Sequence, residues 1–324
     1  MSERLRVALT DYNYPSLDIE KEILEKENID LYAYNCRSED ELIENAKDAD
    51  GIMNAFFPIS RRAIEHLKKC KVISVYGTGT NQIDLKAASE KGILVLNVPD
   101  YCLDEVATHT VALILNCVRQ IESYGRLVKE GDWAYMKLKL HRFCGKTVGI
   151  VGLGAIGRMV ARRLSGFDLK LIGYDPFVPD ETVCSLGVEK RGIHDVFRES
   201  DFITLHMPLT EDTRNMVSTE LLNLMKPTAY LINASRGAVL DEKALLCALN
   251  ESRIAGVALD VLCLEPPLAD DEIVNHPKAW VTPHVAWYSD EAYKELKRRV
   301  AQGAADVLRN RPPKFVVNKH LLKI

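Results

Sequence analysis

No apolar run in this sequence approaches the roughly 20 residues that a membrane-spanning helix needs, and no signal-peptide core follows Met1-Ser2-Glu3-Arg4-Leu5-Arg6. A soluble, cytoplasmic protein is the expectation. Neither sign of charge dominates: 42 Lys and Arg against 46 Asp and Glu leave a net charge of −4. That balance gives no general electrostatic reason to expect nucleic acid or an anionic membrane as partner. The eight cysteines (Cys36, Cys70, Cys102, Cys117, Cys144, Cys184, Cys247 and Cys263) form no CxxC pair and no metal-like Cys/His spacing. Neither a zinc site nor a disulfide framework is expected, and most of these thiols are expected to be buried and reduced in apolar surroundings. Internal repeats and low-complexity stretches are also missing.

What the chain does contain is an alternation of strand-like and helix-like segments almost throughout, the pattern of parallel sheets covered by helices. Its most informative segment is Val148-Gly149-Ile150-Val151 followed by Gly152-Leu153-Gly154-Ala155-Ile156-Gly157, with Asp175 closing the next apolar run, Leu169 to Tyr174. Strand, glycine turn, helix, strand and acid follow one another in the order a dinucleotide site requires. Gly152 permits the tight turn, Gly154 lets backbone approach a pyrophosphate, and Gly157 allows the helix to pack closely on the strand. The helix N-terminus attracts the phosphate charge. Asp175 would accept hydrogen bonds from the adenosine ribose and repel a 2′-phosphate, and Pro176-Phe177-Val178-Pro179 supply no arginine to neutralise one. NAD rather than NADP is the expected cofactor.

A length of 324 residues suggests about two domains. The segments from Leu5 to Asn97 make a complete α/β set without a dinucleotide fingerprint. A long amphipathic stretch from about Leu103 to Ile121 and a polar, aromatic segment, Glu130 to Tyr135, lead to the glycine turn. The chain ends in a helix from about Ser289 to Asn310 with one apolar face, which either caps the cofactor sheet or returns to the first domain. The second option is adopted. It gives two doubly wound α/β domains, with a Rossmann NAD-binding domain (102–288) inserted into a flavodoxin-like substrate domain (1–101 plus 289–324) and a hinge around a cleft.

Three strands of the second half end in unusual polar residues: Asn233-Ala234-Ser235-Arg236-Gly237, Asp260-Val261-Leu262-Cys263-Leu264-Glu265 and Pro283-His284-Val285-Ala286-Trp287. The carboxyl ends of strands line the ligand crevice of such sheets, which makes Arg236, Glu265 and His284 candidates to converge. Each alone has a bland explanation as a solvated cation, a loop acid or a structural histidine. Together they suit chemistry beside a nicotinamide. An arginine binds a carboxylate and polarises the adjacent carbonyl, a histidine supplies or removes the proton as hydride moves, and a glutamate holds that imidazole in one tautomer and keeps it protonated.

At these residues the chain resembles the D-isomer-specific 2-hydroxyacid dehydrogenase family over essentially its whole length. The resemblance is carried by the glycine turn with Asp175, His206-Met207-Pro208-Leu209-Thr210, Asn233 to Gly237, Val239-Leu240-Asp241-Glu242, Ala258-Leu259-Asp260-Val261, Glu265-Pro266 and Thr282-Pro283-His284. It implies Arg236, Glu265 and His284 as the catalytic set. It implies an NAD site formed by Gly152, Gly154, Ala155, Ile156, Gly157 and Asp175 together with Thr78, Thr110, His206, Met207, Pro208, Thr213, Ala234, Ser235, Arg236, Asp260, His284 and Trp287. Substrate is expected on Tyr76, Gly77, Thr78 and Gly79, whose turn suits an anion, and on Trp287, with Tyr76 and Trp287 as apolar walls.

Tyr101 to Ala107 and Ala286 to Ala292 look most like the branch that holds the C-terminal-binding proteins, and Trp287 also matches glycerate dehydrogenase-like enzymes. Val75 stands where many relatives carry an arginine, and Asn81-Gln82 where they carry Asp-Asn. The first change removes a cation for a second anionic group, which argues against 3-phosphoglycerate. Reversible reduction of a small 2-keto acid by NADH is the leading expectation; an NAD(H)-sensing, corepressor-like binding protein is the alternative. The resemblance also implies a homodimer through the NAD-binding domain, to which Trp133-Ala134-Tyr135-Met136 would contribute, unless Trp133 fills a gap within the chain.

Overall fold

The protein is described by a computed structural model over residues 4–321. It divides into two compact units, Met1–Cys102 with Ser289–Ile324, and Leu103–Tyr288. Among the described residues no helix is long and apolar enough to cross a membrane.

The first unit is built on five parallel strands, β1 (Leu5–Leu9), β2 (Ile29–Ala33), β3 (Gly51–Asn54), β4 (Val72–Val75) and β5 (Leu94–Leu96), in the order β2-β1-β3-β4-β5. Strands β3 and β4 are buried at every position, because helices cover both faces and leave no solvent side on which polar residues would alternate. The connecting helices are α1 (Asp18–Lys26), α2 (Glu39–Ala46), α3 (Arg61–His66) and α4 (Leu85–Glu90). Side chains of Ser38, Ser60 and Asp84 accept backbone N–H groups at the starts of α2, α3 and α4, fixing where each helix begins. The helix Asp290–Leu308 also belongs here. It starts at a Ser289 cap, buries Leu296, Val300, Ala304 and Leu308, and accepts the Ser74 hydroxyl at the Val300 carbonyl. Beyond it, buried Asn318 accepts the Val95 N–H and donates to the Ile93 carbonyl, closing the free edge of β5 with a side-chain amide.

One polar cluster lies inside this unit. The Glu20 carboxylate, on α1, receives the Tyr76 hydroxyl at 2.9 Å and lies 3.3 Å from the Lys297 ammonium. Lys297 donates to the Ser16 carbonyl and to the Tyr293 hydroxyl, and it stands over the rings of Tyr14 and Tyr293. Both ions are almost wholly enclosed, with side-chain exposures of 0% for Glu20 and 2% for Lys297. Burial, followed by the Glu20 charge, pushes both Tyr14 and Tyr76 phenols well above their ordinary range. Removing one buried ion strands the other, so Lys297→Met is expected to lower the unfolding free energy by about 3–5 kcal/mol. Urea denaturation measures this, and the double change Glu20→Gln with Lys297→Met should recover part of the loss.

The second unit carries seven parallel strands, β6 (Thr147–Val151), β7 (Lys170–Tyr174), β8 (Val188–Lys190), β9 (Phe202–Leu205), β10 (Tyr230–Asn233), β11 (Gly256–Leu259) and β12 (Ala279–Val281). Their order is β12-β11-β10-β9-β6-β7-β8, with the direction of winding reversing between β6 and β9. The helices are α5 (Leu103–Arg119), α6 (Ile121–Lys129), α7 (Ala155–Leu164), α8 (Asp180–Cys184), α9 (Ile193–Glu199), α10 (Thr219–Leu224) and α11 (Glu242–Asn250), which makes Asp290–Leu308 of the first unit α12. Apolar clusters fill both faces of the sheet.

The amphipathic stretch expected from about Leu103 to Ile121 is met by α5, which ends at Arg119; Gln120 takes a left-handed φ of 48° and α6 starts afresh after it. Two expectations are corrected. Trp133 fills no gap within the chain, being 83% exposed. Cys36, Cys102 and Cys117 are buried, but Cys144, Cys184, Cys247 and Cys263 are exposed, against the expectation that most of the thiols are buried.

Candidate active site

The turn after β6 is fixed by contacts that only glycine allows. Gly152 has a φ of +93°, and a Cβ there would lie 2.7–2.9 Å from the His206–Met207 backbone; a Cβ on Gly157 would lie 2.0 Å from the Gly152 carbonyl oxygen. Beside Gly154 the space is open. Helix α7 then begins at Ala155 with no side chain capping it, so the N–H groups of Ala155, Ile156 and Gly157 are available to a phosphate. The Asp175 carboxylate, nearly buried at the end of β7, accepts the N–H of Leu153 at 2.8 Å and those of Phe177 and Val178 at 2.8 and 3.1 Å. A carboxylate has about four acceptor positions, so three such bonds still leave one for a ribose hydroxyl. These features fit a dinucleotide.

Next along the carboxyl edge come His206, Met207 and Pro208, after β9. Burial pushes the His206 imidazole down to about 4, which leaves the ring neutral at pH 7, and its Nε2 lies 3.0 Å from the Thr204 hydroxyl. Thr213 folds this loop back, its hydroxyl donating to the Pro208 carbonyl at 2.6 Å.

After β10, buried Asn233 organises the loop. Its carbonyl oxygen accepts the Ser235 N–H and hydroxyl, and its amide donates to the Arg236 carbonyl. The Arg236 guanidinium donates to the Ser235 carbonyl at 2.6 Å, leaving most of its donors uncommitted. The following Gly237 passes against the loop after β11: a Cβ would lie 2.0 Å from the Leu262 carbonyl carbon. The loops carrying Arg236 and Glu265 are therefore held in backbone contact.

His284 and Glu265 meet directly, with His284 Nδ1 2.6 Å from Glu265 Oε2. The other carboxylate oxygen accepts the Leu262 N–H at 2.8 Å. Burial alone would raise the Glu265 carboxyl. The bond to His284 and its charge, the Leu262 N–H and the Arg236 charge outweigh that and hold it below the usual range, so it is ionised at neutral pH. Side-chain exposures of 41% for His284 and 34% for Glu265 keep the pair open to a small ligand. With Nδ1 engaged, Nε2 is the ring nitrogen left to exchange a proton.

The Asp260 carboxylate accepts the Thr282 hydroxyl at 2.6 Å and the N–H groups of Val285 and Ala286, each at 2.9 Å, while its backbone carbonyl accepts the His284 N–H at 2.8 Å. It shapes the turn that carries His284, a role that the sequence reading, which gave it to the cofactor, missed. Trp287 closes the turn with its ring against Tyr288.

Two site residues are corrected. Thr110 is fully buried and its hydroxyl returns to the Val106 carbonyl within α5, which leaves nothing at the surface for a cofactor. Tyr76 is no pocket wall, because its side chain points into the first unit toward Glu20. The turn that follows it, Gly77-Thr78-Gly79, does lie at the accessible end of β4, and its N–H groups find no acceptor among the described residues.

A profile of the family described as D-isomer specific 2-hydroxyacid dehydrogenase, NAD binding domain, matches residues 111–286. The chain is 40% identical over 283 residues to D-3-phosphoglycerate dehydrogenase of Methanocaldococcus jannaschii, covering 87% of this chain and 54% of that protein. It thus spans about half the length of that relative. With a glyoxylate reductase of Pyrococcus furiosus it shares 35% identity over 293 residues, covering 88% and 87% of the two chains. Among solved structures, D-lactate dehydrogenase of Aquifex aeolicus, complexed with NAD and lactic acid, superposes with a TM-score of 0.85 at 26% identity, covering 94% of this chain and 96% of that one. The chain belongs to the D-isomer-specific 2-hydroxyacid dehydrogenase family, a family of NAD-dependent oxidoreductases. Its cofactor is NAD.

Gly237→Ala tests the contact on which the site is built. It is expected to destabilise the protein by about 1–3 kcal/mol, the cost of forcing atoms into a packed contact, as read from the urea midpoint.

Proposed function

We propose that this protein reduces a small 2-keto acid of the glyoxylate or hydroxypyruvate type to the D-2-hydroxy acid, reversibly. The observation that carries the reading is the 2.6 Å contact between His284 and an ionised Glu265, held beside Arg236 on the carboxyl edge of a sheet that fits NAD. Bound NADH supplies the hydride. Arg236 pairs with the substrate carboxylate and polarises the keto oxygen, the two tasks that a forked guanidinium combines. The proton reaches that oxygen from His284 Nε2, while Glu265 holds the ring through Nδ1 and balances its charge. In the reverse direction the same nitrogen takes the hydroxyl proton. The backbone N–H groups of Gly77, Thr78 and Gly79 are proposed as an anion-binding element of the first unit, and Trp287 as a contact for the substrate side chain. Val75 in place of a cation fits a substrate without a phosphate.

NADH oxidation with glyoxylate, hydroxypyruvate, pyruvate and branched keto acids tests this. At least one should be turned over, with NADH preferred to NADPH. His284→Ala should lower kcat by about 10²–10⁴-fold, and Arg236→Gln should raise KM for the keto acid as well. Full turnover in His284→Ala would sink the mechanism.

Pairing of two copies through the second unit is part of the same proposal. Trp133, Tyr135 and Met136 are each more than 80% exposed in one short segment, a concentration of apolar surface that calls for a cover. Sedimentation velocity at micromolar concentration should give a dimer that Trp133→Ser with Met136→Ser weakens; a monomeric wild type rejects the pairing.

A further inference from the structure

His109, in the middle of α5, has no part in the reaction described above. Its Nε2 nevertheless lies 3.1 Å from the Thr282 hydroxyl and 3.5 Å from Asp260 Oδ1. Thr282 has already given its proton to that carboxylate oxygen at 2.6 Å, and a carboxylate accepts only. The contact between His109 and Thr282 is therefore one in which Nε2–H donates to a hydroxyl lone pair. The histidine side chain is 23% exposed and that of Asp260 1%, so this chain of donors runs from the rim of α5 to a carboxylate that water does not reach. At its far end the same carboxylate holds the N–H groups of Val285 and Ala286 on either side of the bend. Between Thr282 and Val285 sits His284, in a left-handed backbone conformation with φ 51° that is uncommon for a residue other than glycine.

We propose that His109 is a positioning residue for the dehydrogenase reaction. It fixes the Thr282 hydroxyl and through it the Asp260 carboxylate, which together hold the turn that aims His284. The proposal rests on His284 being the proton donor, as argued above. Without His109 the Thr282 hydroxyl still donates to Asp260 but loses the donor that fixes its position, and Asp260 Oδ1, which also holds Val285, loses the imidazole N–H 3.5 Å away. The turn then relaxes, and His284 Nε2 leaves its alignment. A displacement of that kind costs rate at the chemical step far more than it costs binding.

The experiment compares His109→Ala and His109→Gln, each alone and combined with His284→Ala, using glyoxylate and hydroxypyruvate as probes. His109→Ala should lower kcat by about 10–100-fold while KM for the keto acid and the NADH dissociation constant stay within about threefold. His109→Gln, which keeps an N–H at the end of the side chain, should recover most of the loss. In the His284→Ala background His109→Ala should cost nothing further, since it acts through the missing ring. An equal loss in both backgrounds, or no loss in the wild-type background, overturns the proposal.

A readout without turnover separates this from failure of the functional reading. In protein labelled with 15N-histidine, the His284 ring nitrogens, identified by their absence in His284→Ala, should shift in His109→Ala and return in His109→Gln. Unshifted nitrogens in folded His109→Ala overturn the proposal even if none of the keto acids is a substrate. Wild-type protein inactive on the whole panel, with the shifts as expected, overturns the keto-acid reading alone.

Discussion

A single buried carboxylate does most to shape the candidate site. Asp260 stands at the end of β11, where the chain leaves the sheet, and its main chain is tied on both sides, the N–H to the Asn233 carbonyl and the carbonyl to the His284 N–H. Its side chain takes a hydroxyl and two backbone N–H groups from one short bend. Burying an ion without such partners would be strongly unfavourable. Once the charge is buried here, every one of those donors is needed, and the bend between Thr282 and Ala286 has little freedom left. The rigidity that the proposed proton donor, His284, needs is thus obtained from satisfying a charge, not from packing a core.

The same logic recurs around the sheet. Asp175 draws in three N–H groups and shapes the turn that faces the dinucleotide. Asn233 gathers the Ser235 and Arg236 backbone. Glu265 is held at one oxygen by Leu262 and meets His284 with the other. Each polar residue at a strand end organises its own loop before it can touch a ligand. Gly237 then brings two of those loops into backbone contact, and Glu242 accepts the Cys263 N–H from the start of α11. The strands deliver the residues to one edge, and the side-chain to backbone bonds set their directions.

This division of labour explains what was legible in the sequence. Strand apolarity, the glycine spacing and the final acid of the β6–α7–β7 segment are local signals, and they gave the nucleotide fold and the strand ends that carry Arg236, Glu265 and His284. Two sheets follow from patterns of the same kind, whereas the terminal helix left two packings open in the sequence, and its place in the first unit is set by contacts far apart along the chain. The break between α5 and α6 was not legible, because the amphipathic period runs on through Gln120 while a single left-handed residue interrupts the helix. Side-chain direction was legible least of all. Tyr76 reads as an aromatic beside a glycine turn, a natural wall for a ligand. Only the meeting of Glu20 on α1 with Lys297 on α12, 277 positions apart in sequence, shows that its hydroxyl is taken up inside the unit. His109 reads as one polar residue at the edge of an apolar helix face, and nothing near it in sequence points to Thr282, 173 positions away.

The buried cluster of the first unit gives the Gly77-Thr78-Gly79 turn a foundation comparable to the one Asp260 gives the His284 bend. The Tyr76 ring packs on Tyr14 with centroids 5.3 Å apart, and its hydroxyl is tied to a carboxylate that itself lies against the Lys297 ammonium. The residue immediately before the turn is therefore fixed at both ends of its side chain, while its N–H is fixed to the Asn54 carbonyl of the neighbouring strand. In the proposed role of this turn as an anion-binding element, three N–H groups that follow such an anchor hold their directions in advance, and ordering them on binding costs correspondingly less. An apolar residue in place of Glu20 and another in place of Lys297 would leave a well-packed unit, since a buried ion pair is seldom the most stable way to fill a core. What they would remove is the fixed end of Tyr76, so the argument for retaining the ions lies in the placement of the turn rather than in the stability of the fold.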